Sequence, residues 1–212
     1  MCMKKKNKIF GFIKSNIDGT EKIFSSSINT TLPSSYSYVK YLPNVWNQGD
    51  KPYCVPYSIS TYLNWRENFK NSTKIDNKVN YSEIYKIKTT EGEGMTFKEA
   101  FSYLKHHGVS FEKGNMLINN YALVRNIMSL KYAIILNGPC FGALPVYNTN
   151  KEFWKSSNND NFLGYHAISI VGYNEQGFII RNSWGKSFGE NGYTLIKYED
   201  INKFIEIWTI IH

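Results

Sequence analysis

Apolar side chains in the first half of the chain recur at helical spacing. Over residues 54–69 they fall three and four positions apart, which predicts a helix. Pro56 is compatible with this helix, because a proline is tolerated in the first helical turn. Cys54 is therefore predicted to lie at or just before the helix N-terminus. Two further helices are predicted, the first opened by a capping box of Thr96 and Glu99: residues 96–108 and 121–129.

The second half of the chain has a different pattern, in which short apolar and β-branched runs are separated by turn residues. These runs predict strands over residues 133–136, 141–146, 167–173, 178–181, 193–198 and 205–211. Helices followed by strands indicate an α+β fold of segregated layers, here a helical lobe facing a sheet lobe. Residues 148–163 are rich in Asn, Ser and Lys and are predicted to form a surface loop. Residues 1–31 are predicted to be a flexible extension of a domain over residues 32–212.

The chain has a formal net charge of +8, and part of this excess is local. Five lysines crowd the first residues: Lys4, Lys5, Lys6, Lys8 and Lys14. Such a basic arm can bind an acidic partner protein, an anionic membrane or nucleic acid, although a solvated tail is the simpler interpretation. No platform of basic and aromatic residues recurs elsewhere, so nucleic-acid binding is disfavoured.

Cysteine usage and hydropathy indicate a reducing compartment. The three cysteines, Cys2, Cys54 and Cys140, are too few and too far apart for a disulfide framework or a zinc site. No apolar run reaches the roughly 18 residues that a membrane span needs, and residues 9–13 are too short for a secretory core. We therefore expect a cytoplasmic protein, or one packaged in a viral particle if a virus encodes it, with no secretory signal, metal or cofactor.

Cys54 is a candidate nucleophile because of its predicted position. The N–H groups and the dipole of a helix N-terminus lower the pKa of a thiol and favour the reactive thiolate. A cysteine that merely fills the core is the alternative. However, residues 48–53 are polar and rich in turn residues, which suits the floor of a cleft better than a core strand. The Gln48 side chain could also donate a hydrogen bond to an oxyanion, alongside the Cys54 N–H group.

A base, and a group that orients this base, can be identified downstream. His166 begins a predicted strand, which a turn at residues 174–177 returns to Asn182. The two ends of such a hairpin lie side by side, so the amide oxygen of Asn182 could fix the tautomer of His166. Trp184 could shield this hydrogen bond from water. Each signal alone has an ordinary structural interpretation, whereas the order Gln, Cys, His, Asn is much more specific.

These motifs resemble those of the papain family of cysteine peptidases. Residues 48–54 resemble the oxyanion and nucleophile motif of the family, and residues 164–173 resemble its histidine motif. Residues 182–193, which begin with Asn182-Ser183-Trp184-Gly185, resemble its asparagine motif and are the most specific of the three. The likeness covers residues 32–212.

The resemblance implies a papain-like two-lobed fold, with a helical N-terminal lobe, an antiparallel sheet or barrel as the C-terminal lobe, and the active-site cleft between them. It also implies a cysteine peptidase that acts on peptide or protein substrates. Cys54 would be the nucleophile, with His166 as general acid and base. Asn182 would orient His166, and Gln48 would hold the oxyanion. The residues implied to line the substrate cleft are Gly94, Met95, Ala143, Tyr165 and Trp184.

The chain also departs from the family pattern. Val55 stands where an aromatic residue is usual, Lys51 replaces a disulfide cysteine, and residues 1–31 are too short for the usual inhibitory prosegment. The same triad can serve an amidase or an acyl transferase, because the acceptor that reaches the acyl-enzyme decides the reaction. A catalytically silent fold, used as a binding or structural module, is the alternative from another class.

Overall fold

The computed structural model describes residues 10–26, 31–76, 81–111, 114–157 and 159–212. Its helices are α1 Cys54–Asn71, α2 Tyr81–Lys86, α3 Phe97–His106 and α4 Ile127–Asn137. Its strands are β1 Tyr36–Ser37, β2 Val109–Phe111, β3 Gly114–Met116, β4 Asn120–Leu123, β5 Cys140–Val146, β6 Gly164–Tyr173, β7 Gly177–Arg181, β8 Tyr193–Lys197 and β9 Glu206–Ile211. None of the helices over these residues is long and apolar enough to cross a membrane.

One antiparallel sheet contains most of the described strands. They lie in the order β4-β9-β5-β6-β7-β8, and β1 pairs with the far end of β6. α1 packs against β5 and β6, and α4 packs against β5, β6 and β9. The predicted α+β fold is therefore confirmed, with the N-terminal helices beside an antiparallel sheet. Five of the six predicted strands are confirmed as β5 to β9.

α1 forms a rigid support through the centre of the molecule. It begins at Cys54 as predicted, and its side chains are buried on nearly all sides. Buried polar side chains need internal hydrogen-bond partners, and two of those on this helix bond to its own backbone. Thr61 Oγ1 donates to the Tyr57 carbonyl at 3.0 Å, and Asn64 Nδ2 donates to the Ser60 carbonyl at 2.8 Å. The buried side chains of α1 thus hold its N-terminus, and with it Cys54, in a fixed position.

The prediction is wrong between residues 120 and 137. The segment predicted as a helix over 121–129 instead contains β4, which pairs with β9, and the start of α4. Asn126 caps α4, because its side chain accepts a 2.8 Å hydrogen bond from the Ser129 N–H group. The strand predicted over 133–136 lies inside this helix. Its isoleucines favour strands locally, but here the buried residues of α4 recur every three or four positions: Leu130, Ala133 or Ile134, and Asn137.

Residues 10–26, which we call the strap, pack against the domain. The Phe24 N–H group donates to the Leu123 carbonyl, and the Leu123 N–H group donates to the Lys22 carbonyl, both at 2.8 Å. This differs from the flexible extension expected there, because the strap joins the edge of the sheet at β4. The lysines at positions 4, 5, 6 and 8, to which the basic arm was assigned, lie outside the described residues. The domain boundary at residue 32 stays a prediction.

Candidate active site

α1 presents Cys54 at the floor of the site. Cys54 is the first residue of this helix, and its side chain is fully buried. The preceding residue, Tyr53, makes no side-chain cap, so no side chain at the N-cap position neutralises this end of the helix. The thiol therefore lies at the positive end of the helix dipole, as predicted.

The β6–β7 hairpin brings His166 and Asn182 together. In the register of this hairpin, Ser169 lies opposite Arg181. His166 is three residues before Ser169 and Asn182 is one residue after Arg181, so both lie at the same end of the hairpin. Nε2 of His166 lies 2.7 Å from Oδ1 of Asn182, and both side chains are buried. Oδ1 also accepts a 2.7 Å hydrogen bond from the Ser183 N–H group, so Nε2 is the donor to it. The lone pair of the neutral ring is then on Nδ1, the atom that can accept a proton.

Aromatic side chains enclose the hydrogen bond between His166 and Asn182. The indole of Trp184 stacks on the imidazole, with ring centroids 4.7 Å apart and an interplanar angle of 30°. Phe153 meets the same imidazole edge-on at 5.9 Å. The geometry agrees with the shielding role predicted for Trp184. Phe153 was not predicted to be part of the site, because it lies in the predicted surface loop. The pair of adjacent aromatic residues, Phe153 and Trp154, in an otherwise polar segment is the sequence signal that could have identified it, and both are buried in the structure.

Ser183 connects Gln48 to Asn182. Gln48 is buried, and its Oε1 accepts a 2.5 Å hydrogen bond from Ser183 Oγ. The Gln48 N–H group donates to the Ser183 carbonyl at 2.9 Å. Nε2 of Gln48 donates to the Lys51 carbonyl at 2.8 Å, which uses one of its two N–H groups. The amide that was predicted to hold an oxyanion is thus oriented by Ser183, a residue for which no role was predicted.

The Cys54 sulfur lies beside the backbone of β6, the strand that carries His166. The N–H groups of Ala167, which follows His166, of Val55 and of Gly11 all act on the sulfur. Burial nevertheless raises the pKa of Cys54 to about 11, because the enclosed site penalises the thiolate more than these N–H groups favour it. This corrects the expectation of a lowered pKa, which did not include a chain segment over the thiol.

The strap occupies the cleft beside this thiol. Phe12 lies between two of the residues predicted to bind substrate, with a parallel bridge to Met95 and an antiparallel bridge to Tyr165. The Met95 N–H group donates to the Gly11 carbonyl at 2.9 Å, and the Ile13 N–H group donates to the Met95 carbonyl at 3.1 Å. Both backbone groups of Met95 are therefore engaged by an extended chain.

Side chains of the strap also fill the cleft. The ring of Phe12 is 4% exposed and lies 5.2 Å from the ring of Phe97. Phe10 meets Trp184 edge-on with centroids 6.1 Å apart. Of the residues predicted to line the cleft, Met95, Tyr165 and Trp184 thus contact the strap directly.

Gly94 and Ala143, the other predicted cleft residues, have different surroundings. Gly94 has φ +111°, and a Cβ there would lie 2.7 Å from a carbonyl oxygen of the strap, so only glycine allows this close approach. Its N–H group donates to the Tyr85 hydroxyl at 3.0 Å, so Met95 rather than Gly94 supplies the backbone pairing. Ala143 is fully buried in β5, opposite Ala167.

Ser183 links Gln48 to Asn182, and Asn182 binds His166. The residue after His166, Ala167, borders the Cys54 sulfur through its N–H group. A thiol, an oriented imidazole and an amide donor can together perform nucleophilic attack, proton transfer and stabilisation of an oxyanion. Within the described part of the chain, no group of three or more His, Cys, Asp or Glu side chains could hold a metal ion.

Sequence comparison identifies one family. The family described as "Papain family cysteine protease" matches residues 68–207, about two thirds of the chain. The match includes His166 and Asn182 and begins after Cys54. The assignments of Cys54 and Gln48 therefore depend on the motifs and on the geometry of the site.

Curated relatives match shorter segments. The chain is 31% identical over 107 residues to the gut-specific cysteine proteinase of Caenorhabditis elegans, which covers 46% of this chain and 29% of that protein. It is 30% identical over 112 residues to macrodontain-1 of Ananas macrodontes, which covers 49% of this chain and 53% of that protein. The chain thus matches about half or less of the length of these relatives.

A solved structure resembles the chain over nearly its whole length. Xylellain, a cysteine protease from Xylella fastidiosa, superposes with a TM-score of 0.82, and the match covers 99% of this chain and 98% of that one. The sequence identity is 21%, so this likeness shows the fold alone. It confirms the predicted two-lobed architecture.

Proposed function

Because the chain belongs to the papain family of cysteine proteases, we propose that it is a cysteine peptidase that cleaves peptide bonds in peptide or protein substrates. The hydrogen bond between His166 and Asn182 is the observation that carries the proposal. It holds a base in one tautomer, and the next residue of the same strand, Ala167, contacts the Cys54 sulfur. A base held in a fixed orientation beside a thiol is what nucleophilic catalysis requires.

In the first half of the proposed reaction, the Cys54 thiol gives its proton to His166 and the sulfur attacks the carbonyl carbon of the scissile peptide bond. The negative charge that develops on the carbonyl oxygen is stabilised by the Gln48 amide and the Cys54 N–H group. The carbon–nitrogen bond then breaks, and the leaving amine takes the proton from His166. A thioester between Cys54 and the acyl part of the substrate remains.

In the second half, His166 takes a proton from water, and the resulting hydroxide attacks the thioester carbon. The carbon–sulfur bond breaks, the carboxylic acid product leaves, and Cys54 regains a proton from His166. Asn182 supports both halves, because it stabilises the same ring orientation whether the imidazole is neutral or protonated. Trp184 and Phe153 keep water away from this supporting hydrogen bond.

Hydrolysis of a fluorogenic peptide library under reducing conditions tests the proposal. We expect turnover by the chain, and we expect it to fall in proportion to the fraction of Cys54 alkylated by iodoacetamide, measured by mass spectrometry. Turnover that persists after complete alkylation of Cys54 would contradict the mechanism. The library also reports which side chain is preferred next to the cleaved bond.

A specific observation favours a second candidate, a catalytically silent binding module: the strap covers the thiol, and the pKa of Cys54 is raised to about 11. The two candidates differ when the strap is weakened. A Phe12→Ala variant that still fails to hydrolyse any peptide or to transfer an acyl group to an added amine would support the silent module. An amidase would instead hydrolyse only an amide other than a peptide bond. An acyl transferase would form product only with its own acceptor.

Replacing Gln48 with alanine should lower kcat by about 10²- to 10³-fold, because a donor to the oxyanion is lost. The change in KM should be small, since this donor acts mainly on charge that develops during the reaction. Gln48→Glu should be at least as damaging, because a carboxylate repels the oxyanion. The exposed Gln176 provides the matched control, and Gln176→Ala should leave both constants unchanged. A Gln48→Ala variant with raised KM and normal kcat would contradict the assignment.

A further inference from the structure

Residues 89–95, which we call the cleft loop, end at the backbone that pairs with an extended chain. Both backbone groups of Met95 are bonded to the strap. The loop itself has no helix or strand to hold it, and it contains two glycines with positive φ, Gly92 at +77° and Gly94 at +111°. Such a segment has many accessible conformations, so something outside its own backbone must order it.

The carboxylate of Glu99 binds the start of the cleft loop and the residue that follows its end. Its Oε1 accepts a 2.8 Å hydrogen bond from the Thr89 N–H group, and its Oε2 accepts one of 2.9 Å from Thr90 Oγ1. Oε2 also accepts from the N–H and hydroxyl groups of Thr96, each at 3.0 Å. Glu99 therefore ties the start of the cleft loop to the residue that follows Met95.

These contacts exceed what the helix cap needs. In a capping box, one side-chain oxygen of a glutamate or glutamine accepts a hydrogen bond from the backbone N–H group of the N-cap residue. Here the second carboxylate oxygen serves Thr89, ten residues earlier in the chain. Burial opposes the charge on Glu99, but the hydrogen bonds from Thr96, Thr89 and Thr90 outweigh it and lower the pKa of Glu99 below its ordinary value. The side chain is thus ionised at neutral pH, and both of its oxygen atoms accept hydrogen bonds.

Two other side chains hold the same segment. Lys88 Nζ donates to the carbonyl groups of Thr90 and Gly92, and the Tyr85 hydroxyl accepts the Gly94 N–H group. These contacts fix the middle of the cleft loop. Glu99 alone among the three residues bridges its beginning and the helix that follows its end.

We propose that Glu99 is a positioning residue for peptide hydrolysis, which holds Met95 where its backbone can pair with an extended substrate. The inference rests on the proposed function. The strap marks where an extended chain lies, because it uses the N–H and carbonyl groups of Met95.

The first test uses the complete chain and does not depend on peptidase activity. In Glu99→Gln the single remaining acceptor can serve the helix cap or the cleft loop, but not both. Loosening of Met95 should weaken the hold on the strap and raise the rate of Cys54 alkylation by iodoacetamide about tenfold. Glu93→Gln is the matched control, because it makes the same charge change at an exposed position of the same loop. It should stay within about twofold of the wild-type rate.

The buried Cys140 reports global unfolding in the same experiment, since its thiol is also fully enclosed. Alkylation of Cys54 that rises while that of Cys140 does not would support local loosening at the cleft. Equal acceleration of both cysteines, or a Cys54 rate equal to that of Glu93→Gln, would overturn the proposal.

The second test measures peptide hydrolysis in a Phe12→Ala background, in which the strap is weakened in every variant. Adding Glu99→Gln should raise KM for an extended peptide about tenfold, with a smaller effect on kcat. Hydrolysis of a single-residue ester, which does not reach Met95, should be unchanged. Equal losses on both substrates would overturn the positioning role. If no variant hydrolysed any substrate, the proposed function would fail, and the alkylation rates would still decide the role of Glu99.

Discussion

Replacing Cys54 with alanine should abolish peptide hydrolysis, with a fall in kcat of about 10⁴-fold or more. Without the sulfur no thioester can form, and His166 has no thiol from which to take a proton. The side chain is fully buried, so alanine leaves a small cavity and does not expose a new polar group. Initial rates on the preferred peptide, measured with enough protein to detect residual turnover, check the prediction.

Cys140 is the natural control for this substitution. It is also a fully buried cysteine, and it begins β5 opposite Ile170, four residues along β6 from His166. Cys140→Ala should keep its activity and lose about 1 kcal/mol of unfolding free energy, because only a small side chain is truncated. Hydrolysis that survives in Cys54→Ala, or is lost equally in Cys140→Ala, would show that the thiol of Cys54 is not the nucleophile.

The hairpin that carries His166 and Asn182 could be predicted because its geometry is local. The turn at residues 174–177 sets the register between β6 and β7, and this register brings the start of one strand to the end of the other. A β-bulge between Ile170 and Gly172 shifts this register by one residue without separating the two ends. His166 and Asn182 therefore meet within a segment whose pattern can be interpreted without knowledge of the rest of the chain.

The strap and β4 could not be predicted in this way, because their partners are distant in sequence. β4 pairs with β9, and the strap pairs with β4 and with Met95. Residues 10–13 contain two phenylalanines, of which Phe12 becomes buried and Phe10 partly buried only when a preformed cleft receives them. The raised pKa of Cys54 has the same origin. A helix N-terminus lowers the pKa of an accessible thiol, but the desolvation of this fully buried thiol is stronger here.

The largest gain in reactivity should come from releasing the strap. The strap presents the thiol with the N–H group of Gly11, while the carbonyl group of Gly11 is bonded to the Met95 N–H group. The Gly11 carbonyl thus has a partner in Met95, and the strap occupies the place beside the thiol that an extended substrate would need.

Gly11→Ala should displace the strap through a steric clash. A Cβ at this position would lie 2.3 Å from the Pro52 carbonyl oxygen, and a backbone atom cannot move aside as a side chain can. We expect Cys54 alkylation by iodoacetamide to accelerate about 100-fold or more, since the thiol gains access to solvent. Gly114→Ala is the control, because a Cβ at Gly114 meets no atom within 4 Å.

Phe12→Ala should give a similar gain without adding any atom near Pro52. Truncation of a buried phenylalanine costs about 3–5 kcal/mol, and each 1.4 kcal/mol corresponds to about tenfold in an equilibrium. The strap should thus open about 10²- to 4 × 10³-fold more often. Phe162→Ala, at a half-exposed position, controls for the loss of an aromatic ring. Gly11→Ala and Phe12→Ala variants that are both alkylated at the wild-type rate would show that the strap does not limit access to Cys54.

The pH dependence of alkylation separates exposure of the thiol from a change in its acidity. In the wild-type chain burial raises the pKa of Cys54 to about 11, so the thiolate fraction, and with it the alkylation rate, should keep rising up to that pH. Release of the strap returns water to the thiol and removes part of the desolvation, which lowers its pKa. The rate in Phe12→Ala should therefore level off at a lower pH. If peptide turnover rises together with alkylation in this variant, the strap is a competitor of substrate. If alkylation becomes faster but no peptide is hydrolysed, Cys54 is reactive and the site is catalytically silent.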